Sequence, residues 1–385
     1  MSDLKIFIIT GEPSGDALGG PLMTAIQQAE SGAVTFSGIG GEFMIAAGLD
    51  SLFPMSELAI MSPIEILVKL RKLVRLVHKT VDAIIAEQPD CLVIIDSPEF
   101  TQAVAKRVHR RALKIPIVNY VSPSVWAWRP GRAKRMRKYI DRVLAILPFE
   151  TEVHHRLSGP PCIYVGHPLV TRMDEFEPDN ERRSDFMQKP CLLVLPGSRS
   201  SEVLRLVDIM GQAAGMVAGQ VENLEILLPA VDNVRPLIEK SIESWPVKPV
   251  ILKGEEQKLA AFRRASAAIT ASGTASLELA MARVPMVACY KVDRLAAMLR
   301  WLVVTKTFLL PNLIAGRMFI PELMLEDCTP ERLASEVVPL LTNDEERQKQ
   351  FEGFDEVNQR MSVQGLDPSA RAAAEILDIV SAGRK

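Results

Sequence analysis

Residues 90–99 read Asp90-Cys91-Leu92-Val93-Ile94-Ile95-Asp96-Ser97-Pro98-Glu99. The run from Cys91 to Ile95 has no polar alternation. That pattern marks a strand buried on both faces, as in a parallel sheet. An acid, a serine and a proline follow at once, the usual start of a helix. A strand that passes directly into a helix is half of a βαβ unit.

The same pattern extends in both directions. Candidate strands lie at 4–10, 33–38, 90–96, 116–121, 142–147 and 162–165, separated by helical patterns. A second series begins at 191–195 and continues at 224–228, 249–252, 266–270 and 285–290. Between the series, Gly166 to Lys189 is irregular and charged, with Pro168, Pro178 and the run Asp179-Asn180-Glu181-Arg182-Arg183, and suits a linker. The fold class expected is α/β, with two Rossmann-like doubly wound parallel-sheet domains and a helical C-terminal segment. The boundaries expected are 1–166, 167–340 and 341–385.

Composition agrees with a folded, multidomain chain. It has 385 residues, 48% apolar and 24% charged, with 45 Lys plus Arg against 47 Asp plus Glu, a net charge of −2. Such a balance excludes general disorder and a global nucleic-acid-binding charge. The five cysteines form no CxxC pair, so reduced thiols are expected rather than a zinc site or a disulfide framework. His154 and His155 lack a carboxylate at ligand spacing, and no Asp-x-Asp motif occurs, so no metal or cofactor is expected. The apolar run Ile6 to Ile9 is too short for a signal peptide, and the longest uncharged run, Leu157 to Thr171, contains three prolines. Nothing is expected to span a bilayer.

In open α/β sheets the site lies beyond the carboxyl ends of the strands. After strand 191–195 comes Pro196-Gly197-Ser198-Arg199, then a helix. A helix N-terminus offers free N–H groups and a positive dipole end, and Arg199 adds a fork for phosphate. After strand 266–270 come Ser272-Gly273-Thr274 and a second helix, with Glu278 one turn in, placed to accept from ribose hydroxyls. Two such turns suggest a bound nucleotide; two ordinary helix caps read equally well from local sequence. The first strand ends in Gly11-Glu12-Pro13-Ser14-Gly15-Asp16, which is glycine-rich but is not a dinucleotide fingerprint. Asp96 is either a general base at a strand end or the start of the helix that follows. His167, alone beside the linker, reads as structural.

A helix over 63–85, at about 100° per residue, places Leu67, Leu70, Val74, Val77, Val81 and Ile84 on one stripe, the expected core face. Lys69, Arg71, Lys72, Arg75 and Lys79 fall on the other side, together with Ile64, Val68 and Leu76. Basic residues interleaved with apolar ones suit an anionic membrane surface. A second basic run, Arg129 to Arg142, follows Trp126 and Trp128, side chains that favour the bilayer interface. The alternative for both patches is a solvated face with core tryptophans.

These stretches resemble the lipid-A-disaccharide synthase family. The matching segments are Gly11–Asp16, Ile95–Phe100, Tyr120–Trp128 (Tyr-Val-Ser-Pro-Ser-Val-Trp-Ala-Trp), Leu147–Glu150, Gly166–Pro168, Pro196–Arg199, Ser272–Ala275 and Pro311–Gly316. They occur in the family's order. The resemblance implies an inverting glycosyltransferase of GT-B fold. Its donor would be UDP-2,3-diacylglucosamine and its acceptor 2,3-diacylglucosamine 1-phosphate. Products would be the β-1,6-linked disaccharide 1-phosphate and UDP, with no cofactor. It implies catalytic roles for Asp96, Arg199 and Asn312, and substrate or UDP contacts at Gly11, Glu12, Ser14, Gly15, Ser198, Ser272, Gly273, Thr274 and Glu278. It also implies a peripheral place at the inner face of the cytoplasmic membrane, on anionic lipids; a homodimer is left open. Two departures stand out: Pro13 where the family more often has Thr, and Glu99 where Asp is common. Rival readings are a UDP-sugar 2-epimerase and a non-catalytic nucleotide-binding protein at a membrane surface.

Overall fold

The uninterrupted apolar runs do become parallel strands. The computed structural model describes residues 3–58, 63–178, 189–292, 303–363, 365 and 367–383, with the side chains of 63–69 excepted. The charged run 179–183 lies outside the described residues. Contacts divide the chain into two units, 1–168 with 363–385, and 169–362.

The first unit holds β1 (Leu4–Thr10), α1 (Pro13–Ala29), β2 (Val34–Ile39), α2 (Glu42–Ala46), β3 (Asp50–Ser51), α3 (Pro63–Glu87) and β4 (Cys91–Ile95). It continues through α4 (Pro98–Arg111), β5 (Ile117–Tyr120), α5 (Gly131–Met136), β6 (Arg142–Ala145), α6 (Glu150–Arg156) and β7 (Cys162–Tyr164). The strands form one sheet in the order β3-β2-β1-β4-β5-β6-β7, with every pairing parallel. Apolar side chains fill both faces. One cluster joins β1, β4 and α1, through Ile8, Val93, Leu22 and Ile26. The other joins α3 and α4 to the opposite face, through Val81, Ile84, Val104 and Ile94.

The second unit opens with α7 (Met173–Phe176), β8 (Cys191–Leu195), α8 (Ser200–Ala218), β9 (Glu225–Pro229) and α9 (Arg235–Ser241). It continues with β10 (Val250–Leu252), α10 (Gly254–Arg264), β11 (Ala267–Ala271), α11 (Thr274–Met281), β12 (Met286–Tyr290) and β13 (Glu322–Met324). Its sheet runs β10-β9-β8-β11-β12-β13. Strands β3 and β13 were not expected from the sequence. Both are edge strands of two or three residues, too short to show a pattern.

The expected separate segment 341–385 is instead shared between the units. The helix Asp344–Met361 belongs to the second, where the Gln350 side chain accepts from Met286 N at 2.8 Å and donates to Met286 O at 3.0 Å. The helix Pro368–Gly383 belongs to the first. Its Ala372, Ala373, Ile376 and Val380 are buried in the cluster that holds Leu22 and Met23 of α1. Arg142, at the start of β6, donates to Glu375 at 2.6 Å and to Asp378 at 3.1 Å, tying this helix to the sheet.

Helix α3 corrects the expected faces. Leu76, expected to face outward, is 8% exposed and lies in the core with Val77, Val81 and Ile84. Leu70 and Val74, expected in the core, are 48% and 40% exposed. The side chains of Ile64, Val68 and Lys69 lie outside the described residues.

Candidate functional site

A doubly wound sheet opens a crevice where the strand order reverses, beyond the carboxyl ends of the two strands that flank the reversal. In the first unit those strands are β1 and β4. In the second they are β8 and β11. The segments that follow these four strands are the ones singled out by sequence: Gly11–Ser14, Asp96–Ser97, Pro196–Arg199 and Ser272–Thr274.

In the first unit the Gly11–Ser14 turn and Asp96 meet. Ser14 Oγ donates to Asp96 Oδ2 at 3.2 Å, and the Ser97 hydroxyl donates to Glu12 Oε1 at 3.3 Å. Gly11 is required here: a Cβ would come within 2.7 Å of Ser97 Oγ. Asp96 and Ser97 both hold left-handed backbone angles, φ 49° and 44°. Such angles cost about 1–3 kcal/mol each in a non-glycine residue and persist where the surroundings enforce them. The helix-cap alternative for this segment is weak, since Ser97 makes no side-chain cap bond to α4. Asp16 instead has a structural task, its carboxylate accepting from the amides of Gly41, Phe43 and Met44 at 2.8–3.1 Å. Gly11, Glu12 and Ser14 thus meet Asp96 and Ser97 in the first unit, while Gly15 packs against Thr10.

Sequence reasoning missed the neighbouring strand end. Val121, just after β5, has φ 69°, a genuine outlier for a β-branched residue. Asn119 Nδ2 donates to Val121 O at 2.8 Å and braces it. Beside it, buried Ser122 hydrogen-bonds His154 Nε2 at 2.8 Å, and burial lowers the His154 pKa to about 4. Trp126 packs edge-on against Phe149 and donates to Glu150, a carboxyl that burial pushes up to about 8. Trp126 is thus part of a small core; Trp128 is the exposed member, with Arg129 stacked over it at 4.1 Å. His167 is buried and lowered to about 4 by the same cause, in keeping with a structural reading.

In the second unit a cavity of about 530 Å³ lies over the carboxyl ends of β8 and β11. Gly197, Ser198, Arg199, Ser272, Gly273, Thr274 and Glu278 all line it. Gly197 has φ +110°, and a Cβ there would come within 2.7 Å of Glu202. Neither Arg199 nor Gly273, the residues that cap α8 and α11, makes a side-chain cap bond. Glu202 N and Ser276 N donate to the backbone of Arg199 and Gly273, so the amides ahead of them in each first turn are the ones that can serve an anion. The Arg199 side chain is 76% exposed and leans on Glu202 at 2.9 Å. Glu278 is only 14% exposed and is paired with Lys258 at 2.8 Å. Lys258 was missed; it stands on α10, far away in sequence, and nothing local to it signals a ligand.

Asn312 does not join this set. It is buried, its Oδ1 accepts from Phe319 N and Ile320 N at 3.1 Å, and its Nδ2 donates to Ile320 O at 3.0 Å. The amide is engaged in closing the turn that leads to β13, and Asn312 is not among the residues that line the cavity.

Two doubly wound units in one chain, each with polar residues at its switch point, define the GT-B fold of nucleotide-sugar enzymes. Solved structures agree on the fold. The UDP-GlcNAc 2-epimerase from Neisseria meningitidis bound to UDP-GlcNAc superposes with TM-score 0.60 at 12% identity, covering 99% of this chain and 100% of that one. CalG4, the calicheamicin glycosyltransferase, gives 0.61 at 15% identity, covering 99% of each. Sequence separates what fold cannot. The family model for lipid-A-disaccharide synthetase matches residues 6–376. Lipid-A-disaccharide synthases of Bradyrhizobium diazoefficiens and Rhodopseudomonas palustris are 44% and 45% identical, covering 99% and 98% of this chain and 98% and 96% of theirs. The chain belongs to the lipid-A-disaccharide synthase family, and it is a glycosyltransferase.

Proposed function

We propose that the protein joins UDP-2,3-diacylglucosamine to 2,3-diacylglucosamine 1-phosphate, releasing UDP and forming the β-1,6-linked disaccharide 1-phosphate. The observation that carries this reading is the family match over residues 6–376. Asp96 supports it. Its carboxylate stands at the switch point of the first unit, held on one oxygen by Ser14 at 3.2 Å and on the other by Ser97 N at 2.9 Å. It takes the proton of the acceptor 6-hydroxyl as that oxygen attacks the donor's anomeric carbon. The bond to UDP breaks in the same displacement, so the configuration inverts. The leaving diphosphate gathers negative charge, which the free amides of α8 and α11 and the Arg199 guanidinium offset. Glu278, steered by Lys258, accepts from the ribose hydroxyls.

Both substrates carry acyl chains, so the enzyme meets them at a bilayer. Among the described residues no helix is long and apolar enough to cross a membrane. The exposed Leu70 and Val74 of α3, flanked by exposed Arg71 and Arg75, suit docking on the inner face of the cytoplasmic membrane. The test is UDP release from the diacylated donor with and without the phosphorylated acceptor. Acceptor-dependent release supports transfer. Equal release in both reactions, or conversion of the donor to its 2-epimer, contradicts it.

A further inference from the structure

The first unit has a second hollow, of about 600 Å³, between α4 and α5. Lys106, Arg110, Arg132, Arg135 and Lys138 line it, with His109. Glu99 is its one carboxylate, and that is bound to Arg132 at 2.8 Å. No acidic partner stands beside Lys106, Arg110, Arg135 or Lys138 among the described residues. Gathered around one hollow, such charges repel. An anion removes that cost, and a guanidinium fork fits a phosphate best.

We infer that this hollow binds the phosphate of the acceptor sugar. The inference rests on the transfer reaction proposed above. Its place suits that reaction. Pro98, two residues beyond Asp96, lines the hollow, and Lys106 stands eight residues further along α4, about 12 Å along the helix axis. That is room for one sugar ring and its phosphate. Three of these cations, Arg132, Arg135 and Lys138, come from the basic run that the sequence leaves open between a membrane face and a solvated one. A further one, Arg142, is committed to Glu375 and Asp378 instead.

The experiment compares kcat/KM for the phosphorylated acceptor and for the same diacylglucosamine without its phosphate, in detergent micelles. Lys106 and Arg135 are exposed, so the double variant Lys106→Ala/Arg135→Ala should fold. The preference for the phosphorylated acceptor is expected to fall about 100-fold or more, the scale of two charged hydrogen bonds. Calorimetric UDP affinity should hold. An unchanged preference overturns the assignment. So does a variant that keeps its preference but no longer binds phosphatidylglycerol vesicles, which would make the hollow a lipid-headgroup surface. If the unaltered enzyme releases no UDP with either acceptor, the transfer reading itself has failed, and that result is distinct from the others.

Discussion

Ser14 and Asp96 lie 82 residues apart in sequence, and a 3.2 Å hydrogen bond from the serine hydroxyl to the carboxylate joins them. The bond spans the reversal of strand order between β1 and β4. The other carboxylate oxygen accepts from Ser97 N at 2.9 Å. Asp96→Asn should lower turnover by about 10²–10⁴, the usual loss on removing a general base. Ser14→Ala should cost about tenfold, one hydrogen bond to a charged group. UDP affinity should hold in both. Near-normal turnover in a folded Asp96→Asn protein would remove Asp96 from the chemistry.

The nucleotide turns make a separate prediction. Arg199 is exposed and among the described residues is paired with Glu202, so Arg199→Ala should leave folding intact. Its loss should appear in kcat, because a guanidinium beside the leaving phosphates acts most in the transition state. Glu278→Ala should weaken UDP binding, and Lys258→Ala should follow it through the 2.8 Å pair. Calorimetry that finds unchanged UDP affinity for Glu278→Ala would remove its ribose role.

Both sheets were legible in the sequence because strands buried on two faces leave unbroken apolar runs, as at Cys91–Ile95. The strand-end rule then led to Asp96, Ser198 and Ser272 without any contact information. Other features depend on residues that only the fold brings together. Lys258 reaches Glu278 across twenty positions, and Asn312 is claimed by amides seven and eight residues ahead. No residue type announces the strained Val121. Helix α3 shows a different limit. Periodicity says which side chains share a face, but not how far the covering surface extends. The stripe through Leu70 and Val74 is covered only from Val77 onward.

Asn312 offers a test of that distinction. Asn312→Ala would leave the amides of Phe319 and Ile320 unpaired, at about 1–3 kcal/mol for each buried group. The melting temperature should fall, and KM and kcat should change together with it. A variant of normal stability that has lost turnover would restore a direct catalytic role.

Glu150 predicts a pH dependence. Burial raises its carboxyl from about 4.5 to about 8, so the folded state holds a proton that the unfolded chain has released. Its stabilising contribution is full below about 4.5 and is lost as pH rises through about 8. His154 and His167, lowered to about 4 by burial, act the other way, and their contribution is lost as pH falls from about 6.5. Above about pH 6.5 Glu150 acts without the two histidines, and any other titration is common to both proteins. From there to about pH 8.5 the native protein should lose about 2 kcal/mol relative to Glu150→Gln. Trp126, bonded to this carboxyl, gives the fluorescence signal. A constant difference between the two proteins across that range would show that Glu150 is already ionised in the fold.

The surface of α3 separates core from membrane contact one residue at a time. Leu70 and Val74 are exposed beside Arg71 and Arg75, whereas Leu76 is buried against the sheet. Lys72 and Lys79 are less available, the first paired with Glu57 at 3.2 Å and the second bonded to Leu52 O at 3.3 Å. An apolar side chain entering the acyl boundary gains roughly the free energy of its burial, and each nearby cation adds about 1 kcal/mol on an anionic surface. Leu70→Ser with Val74→Ser should therefore reduce binding to phosphatidylglycerol liposomes and raise the apparent KM for long-chain substrates. The melting temperature should stay nearly constant. Leu76→Ser should do the reverse: a loss of about 2–5 kcal/mol of stability, the range for emptying a buried leucine site. High salt should weaken the liposome binding of the unaltered protein, since the cations act through screened attraction. Equal liposome binding by the Leu70/Val74 variant would show that this face meets something other than lipid.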